Sequence, residues 1–550
     1  MATNTTHGDA SAAPQDITAQ ALAAALGDGG GLALLDVRDH GVYARGHLFL
    51  ASSAPYWRLE LDIDRLVPRR SARVVLVDGG EGLATDAARK LQRLGYDNVS
   101  VLHDGIHGWE QAGFPLFTGT NVPGKAFGEV LEHELGTPHI DADELKRKLD
   151  AGDRIVVVDS RTPEEFADFS LPGAHSLPGA ELVYRIGEVA PDPNTLIVVN
   201  CAGRTRSIVG AQTLINAGVP NRVVSLKDGT MAWLMNGDTL RHGHVAPAPE
   251  PSGDSLATAR QRAHAMAQRA GVNALDAGEL AELFADTTQT VYRFDVRDRE
   301  EYQAGHLPGW RWAPGGQLVQ ATDEYAATRG AHLVLADWDG VRALTTAAWL
   351  AQLGGFTVHV HPVAQAPVLE TGAERVTVLN AYDHATRWVA PTQLQHWLEQ
   401  GGVAVLNIDN SVAHAQRHVR GAQFVAPSAL IAHVQRQRAL DPAVHVVLVS
   451  EDGQLARSAA HELIERGLDG VSPLLGGTQA WIRAGLPTDA GRASILTQDD
   501  DTWYGPYVFL DLEERNRKFN TYLDWELGLV AQLAGEPRVD INLNGSIAAR

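Results

Sequence analysis

One thiol stands in the 550 residues, Cys201, and it opens the segment Cys201-Ala-Gly-Arg-Thr-Arg-Ser207. An apolar run, Leu196-Ile-Val-Val-Asn200, comes just before it, and a helix-like stretch, Ile208-Val-Gly-Ala-Gln-Thr-Leu214, just after. A cysteine at a strand-to-helix turn faces unpaired amide N–H groups and the positive end of a helix dipole, both of which favour an anion. Arg204 and Arg206 add positive charge. These conditions predict a thiol pKa drawn down into the range of about 3.5–7.5 seen for reactive cysteines. Most lone cysteines are small buried hydrophobes, but glycine and two arginines are poor core material. The expected chemistry is that of a thiolate nucleophile in an anion cradle.

The elements that must hold this loop recur four times, at intervals too long for a solenoid and suited to small domains. Each copy has a first β run: Leu34-Leu-Asp-Val-Arg38, Val157-Val-Asp-Ser-Arg161, Arg293-Phe-Asp-Val-Arg297 and Val405-Leu-Asn-Ile-Asp409. A second follows: Val74-Val-Leu-Val77, Leu196-Ile-Val-Val199, Leu333-Val-Leu335 and Val446-Val-Leu-Val449. After a polar loop comes a helix closed by glycine at Gly95, Gly218, Gly354 and Gly467, the expected C-cap. Three copies end on Asp104-Gly-Ile-His-Gly-Trp109, Asp228-Gly-Thr-Met-Ala-Trp233 and Gly476-Gly-Thr-Gln-Ala-Trp481, while copy three has only Val358-His-Val-His-Pro362 there. Short apolar strands alternating with helices predict an α/β fold of parallel βαβ units, with ligands at the strand-tip loops. Thr118–Glu134, Gly243–Gly271 and Val363–Thr377 read as linkers. The last 60 residues, with Trp503-Tyr-Gly-Pro-Tyr-Val-Phe509 and Phe519-Asn-Thr-Tyr-Leu-Asp-Trp525, read as an extension packing across a domain or subunit interface, a substrate lid being the alternative.

The net charge of −21 disfavours nonspecific binding to nucleic acid or anionic membranes. A single cysteine allows no internal disulfide and no multi-thiolate metal site. The start, Met1-Ala-Thr-Asn-Thr-Thr-His-Gly-Asp-Ala10, lacks a basic end followed by an apolar core, and no apolar run is long enough to span a membrane. The expectation is a cytoplasmic protein. His359-x-His361 and His242-x-His244 lack nearby carboxylates, so neither metal nor cofactor is expected.

An Asp-x-Arg strand end, a Gly-His-Leu-Pro-Gly or Leu-Pro-Gly-Ala turn, a strand-Cys-loop-helix and a closing Gly-Gly-x-x-x-Trp together resemble the rhodanese family, from about residue 16 to 490. The resemblance implies four tandem rhodanese-like domains, each a small parallel β-sheet flanked by helices, plus a C-terminal aromatic-rich extension. The implied bounds are 1–122, 135–243, 272–366 and 386–490, with the extension at 491–550. Aligning the helix-ending glycines places Asp78, Asp337 and Ser450 where Cys201 stands. A carboxylate cannot form a persulfide and would repel an anionic substrate, so only the second domain is expected to be catalytic. In tandem members an inactive domain often walls the active one. By that analogy the first domain packs on the second, and the third and fourth form another pair.

The resemblance implies a thiosulfate-type sulfurtransferase, with Cys201 attacking the outer sulfur of thiosulfate or a related donor and passing it on from a persulfide in ping-pong fashion. The backbone of Ala202, Gly203, Arg204, Thr205, Arg206 and Ser207 would cradle the outer sulfur, and the two arginines would hold the sulfonate part. Cysteine phosphatases and arsenate reductases use a Cys-x5-Arg loop, whereas here the spacing from Cys201 to Arg206 is Cys-x4-Arg, a loop fitted to one sulfur atom. A different class stays open, a persulfide carrier or regulatory protein serving a dedicated partner. With no second thiol the acceptor must be external: cyanide, sulfite or a thiol. A homo-oligomer formed through the extension is also left open. Asp159 and Arg161 read as shaping the pocket from behind, Lys227 as a surface lysine or an added positive charge, and Trp233 as core.

Overall fold

The computed structural model describes residues 14–363, 368–382, 384–498, 500–509 and 511–548. The stretch Met1–Ala10, on which the expectation of no leader rests, lies outside the described residues, as do positions 364–367 of the third expected linker.

Each copy builds a parallel sheet in one strand order. In copy two the order is His139–Ile140, Val223–Leu226, Leu196–Asn200, Ile155–Asp159, His175–Ser176. Copies one and three repeat it, and copy four repeats it without the outermost first strand. Leu196–Asn200 is the central strand, pairing in register with Ile155–Asp159 on one side and with Val223–Leu226 on the other. Helices cover both faces, which is why these strands are continuous apolar runs rather than alternating ones.

The chain forms two compact units. Among the described residues, one unit holds those within 1–28, 32–120 and 376–504, hence copies one and four with the start of the extension; the other holds those within 29–31, 121–375 and 505–550, hence copies two and three with the rest of it. This overturns the expected pairing of one with two and three with four. In the second unit a single core runs from Phe127 and Val199 through Leu214 to Leu335 and Leu350. In the first unit, Lys90 of copy one is buried against Glu462 of copy four and over the Tyr56 ring.

Two expected linkers are helices. Val122–Leu135 carries Pro123 in its first turn and ends on Gly136 with φ 65°, and Gly253–Arg269 is capped by the Ser252 side chain. Phe127 and Leu131 of the first, and Ala263 and Met266 of the second, lie in the shared core. The extension folds onto copy two through the 21-residue helix Leu512–Gln532, whose buried stripe is Phe519, Leu523, Glu526 and Leu529. Among the described residues no helix is long and apolar enough to cross a membrane.

Candidate active site

Cys201 follows the central strand directly, and the helix Thr205–Asn216 starts four residues later. The residue is 2 % exposed. Its Sγ accepts the backbone N–H of Ser207, six residues on. The other three copies make the same bond. Asp78 accepts from Ala84 N at 2.9 Å, Asp337 from Ala343 N at 2.7 Å, and Ser450 from Ala456 N at 3.2 Å. The carboxylates go further: Asp78 also takes Gly80 N, and Asp337 takes Gly340 N and Val341 N. In copies one and three the anion cradle is filled by the chain's own carboxylate, a firmer block than the repulsion expected from sequence.

Beneath the loop, Cys201 O accepts from Thr230 N and Ala202 O from Met231 N. This close approach explains the Asp-Gly and Gly-Gly motifs. Asp228 and Gly229 both take left-handed backbone, at φ 58° and 54°, and a Cβ on Gly229 would sit 2.4 Å from Cys201 O. Gly105 and Gly477 lie equally close to Asp78 O and Ser450 O. The closing tryptophans are buried, and each indole N–H donates to the carbonyl six residues on: Trp109 to Pro115, Trp233 to Thr239, Trp481 to Pro487.

The structure changes the picture of the arginines. Arg204 is 4 % exposed; it donates through Nε and Nη2 to the two oxygens of Glu129, each at 2.8 Å, and through Nη1 to Asp228 at 3.0 Å, and also meets Glu132. Arg206 forks onto Glu165. Both guanidiniums are committed to carboxylates rather than held out for a sulfonate. Asp159 and Arg161 form a wholly buried pair, with Arg161 also donating to Phe169 O and Asn200 to Asp159. Asp36–Arg38 and Asp295–Arg297 repeat that pair in copies that lack the thiol. Lys227 is 44 % exposed and faces Asp141 at 3.6 Å.

The extension bridges copies two and three, Ser546 accepting from Asn216 and donating to Gln352, as the domain-interface reading expects, and it also roofs the loop. Tyr507 donates to Ala202 O at 2.7 Å and lies 2.5 Å from the Thr230 hydroxyl. A Cβ on Gly203 would meet Tyr522 Cε1 and Glu526 Oε2 at 3.4 Å each. Glu526 is 1 % exposed; its Oε1 accepts from Tyr522 at 2.9 Å, and its Oε2 is buried with no hydrogen-bond partner. Lys125 lies over the rings of Tyr522 and Trp525.

Burial under this roof pushes the Cys201 thiol up, opposing the expected depression; the Arg206 charge and Ser207 hydrogen bonding pull it down, and Glu526 adds to the rise. Burial likewise lifts Glu526 to about 7, against the pull of Lys125, and lowers Lys125 to about 8. Tyr507 and Tyr522 lie in the two aromatic segments singled out from sequence, whereas Glu129 and Glu526 escaped sequence reasoning. Glu526 carried a signal, as an acid on the apolar stripe of an amphipathic helix.

Among the described residues no three His, Cys, Asp or Glu side chains are grouped to hold a metal ion. A thiosulfate sulfurtransferase from Pseudomonas aeruginosa superposes with a TM-score of 0.90, at 43 % identity, over 98 % of this chain and 100 % of that one. A sulfurtransferase of Allochromatium vinosum is 32 % identical over 111 residues, 20 % of this chain and 95 % of its own length. The thiosulfate sulfurtransferase GlpE of Haemophilus influenzae is 27 % identical over 101 residues, 18 % of this chain and 92 % of its own. The rhodanese-like domain model matches residues 18–112, 141–236, 276–365 and 390–484. Four matches, the shared strand order and the loop repeated at each strand tip make this chain a member of the rhodanese-like family.

Proposed function

We propose that this protein is a sulfurtransferase that takes a sulfane sulfur from thiosulfate or a related donor onto Cys201 and passes it from the persulfide to a small thiophilic acceptor, such as cyanide or a thiol. The Cys201 thiolate attacks the outer sulfur of the donor; the S–S bond of thiosulfate breaks and sulfite leaves with the electron pair. The observation that carries the reading is the comparison of the four loops. All four present the same backbone amide to the same position, and that position holds a nucleophilic thiol in copy two and a self-bound carboxylate or hydroxyl in the others. Copy two is therefore the catalytic domain, and copies one, three and four are inactive.

The backbone from Ala202 to Ser207 receives the outer sulfur, with the helix Thr205–Asn216 directing its N-terminus at it. Arg204 and Arg206 act through their field and by bracing the loop, since Arg204 gives Nε, Nη1 and Nη2, and Arg206 both Nη groups, to carboxylates. Arg206 is the strongest influence favouring the thiolate over the thiol. The roof of Tyr507, Tyr522 and Glu526 leaves Cys201 buried, which favours small acceptors over a docked carrier protein.

Intact mass tests the reading. After incubation with thiosulfate and removal of excess, the chain should gain one sulfur atom, and Cys201→Ser should gain none. No gain with thiosulfate, together with turnover of an aryl phosphate, would replace it with a phosphatase.

A further inference from the structure

Glu526 faces the buried Lys125 charge, but its Oε2 makes no hydrogen bond. Its helix is held over the loop by Phe519 and Leu523 packing on Met231, and by the Tyr507 bonds to Ala202 and Thr230. A buried carboxylate oxygen left unpaired is costly unless something it serves arrives, and Oε2 lies beside Gly203, two residues past the nucleophile. We propose that Glu526 is the general base of the second half-reaction: it takes the proton from a thiol acceptor and returns it to Cys201 as the sulfur leaves. This rests on the sulfurtransferase reading above.

The step balances. The acceptor R–SH gives its proton to the Glu526 carboxylate, and the resulting thiolate attacks the outer sulfur of the Cys201 persulfide. An S–S bond forms to the acceptor, the bond from Sγ to the outer sulfur breaks, and its electron pair stays on Sγ. The sulfur departs on the acceptor as R–S–S⁻, and the proton on Glu526 passes to the Cys201 thiolate. No outside oxidant or reductant enters. A thiol needs such a base because only its thiolate attacks, and a base is most useful when its pKa lies near the working pH.

The groups facing Glu526 fit the role. Lys125 and Glu129 approach from the helix Val122–Leu135, Arg204, Thr205 and Cys201 from the loop, and Tyr522 from its own helix. Burial and Glu129 favour the neutral acid, while Lys125, Tyr522 and Arg204 favour the carboxylate. The balance lies near 7, so the group can both accept and release a proton. The same carboxylate repels an acceptor that arrives as a dianion.

The test uses the full chain, loaded with thiosulfate, desalted, and discharged in a single turnover with either 2-mercaptoethanol or sulfite. Loading is followed by intact mass, which separates failure of this inference from failure of the sulfurtransferase reading: if wild type does not load, that reading falls first. Glu526→Gln should reach the same final load of one sulfur, and its loading should be as fast or faster, since the carboxylate that raises the Cys201 thiol is gone. Discharge to 2-mercaptoethanol should slow at least tenfold and lose its inflection near pH 7, while discharge to sulfite should hold or quicken. Equal slowing with both acceptors would make Glu526 a structural prop and overturn the proposal. Slowed loading would place its action on Cys201 itself and would overturn the proposal as well. Tyr522→Phe gives an independent check should Glu526→Gln not fold. It removes a hydrogen bond that holds Glu526 down, so the inflection for 2-mercaptoethanol should move to higher pH; an unmoved inflection would count against the proposal.

Discussion

Arg206 donates to both oxygens of Glu165, at 2.5 and 2.7 Å, and Arg342 repeats the fork on Glu301 at 2.6 and 2.8 Å. Arg206 lies five residues past Cys201 and Arg342 five past Asp337, and each glutamate belongs to the capping box of the helix after the first strand. Because the second fork serves a loop with no thiol, the first is a brace. Arg206→Met should lower stability by about 2 kcal/mol, below the full figure for a buried pair because the Glu165 side chain is 39 % exposed. Chemical denaturation checks this, and an unchanged midpoint would remove the brace.

The same pair sets an acid limit. Burial raises the Glu165 carboxyl, but Arg206 outweighs it and holds the group near 2, against an ordinary 4.5. A depressed carboxylate stabilises fully above its unfolded pKa and ceases to as pH falls through the folded one. Wild type should therefore lose its advantage over Arg206→Met between about pH 4.5 and 2. Parallel melting curves across that window would contradict the assignment.

Arg204 with Glu129 is the tighter joint, with side chains 3 % and 4 % exposed. Arg204→Ala leaves Glu129 buried without its partner, a change worth about 3–5 kcal/mol. Arg204→Lys should restore little, since an ammonium cannot match the two-point contact. Melting temperature and the rate of sulfur loading should fall together in both variants. Full loading in Arg204→Ala would show that the loop keeps its shape without the joint.

The third copy invites a gain of function that should fail in one step. Asp337→Cys restores a thiol beneath the Ala343 amide, but Asp339, at the position of Gly203, still takes Val341 N at 2.9 Å and Arg342 N at 3.0 Å. In a Cys201→Ser background, Asp337→Cys should stay unloaded by thiosulfate, and loading should require Asp339→Gly as well. A single substitution that loads would refute the role given to Asp339.

Two left-handed glycines separate crowding from backbone strain. Gly218 has φ 69° with open space around its Cβ direction, and Gly229 has φ 54° with Cys201 O at 2.4 Å. Gly218→Ala should lose about 1–2 kcal/mol from strain alone. Gly229→Ala should lose more and also loading, because the Cys201 carbonyl must move. Equal losses, with loading intact in both, would mean the close approach is not tight.

The domain plan was legible because parallel strands buried on both faces are continuous apolar runs, and because glycine marks each helix end. The placement of Cys201 between strand and helix was legible too, since strand, loop and helix are contiguous in sequence. The partners were not. Arg204 meets Glu129 across 75 positions, in a segment read as a linker, and Thr205 meets Glu526 across 321. Ion pairs carry no period, so nothing in the sequence links them. Judged by its neighbours in sequence, the thiol has a depressed pKa; the roof that reverses this comes from Tyr507 to Glu526, which no local pattern ties to residue 201. The pairing of copies two and three likewise rests on which helix faces remain apolar, which the repeat itself does not reveal.

In binding terms, the carboxylates of Asp78 and Asp337 are ligands tethered to their own receptor. Held in place by the fold rather than by a loose linker, each competes at a high effective concentration, so those cradles stay occupied at millimolar thiosulfate. Titration of the chain with a sulfur donor should accordingly saturate at one atom per molecule, and added anions should meet no competing reservoir in these two domains.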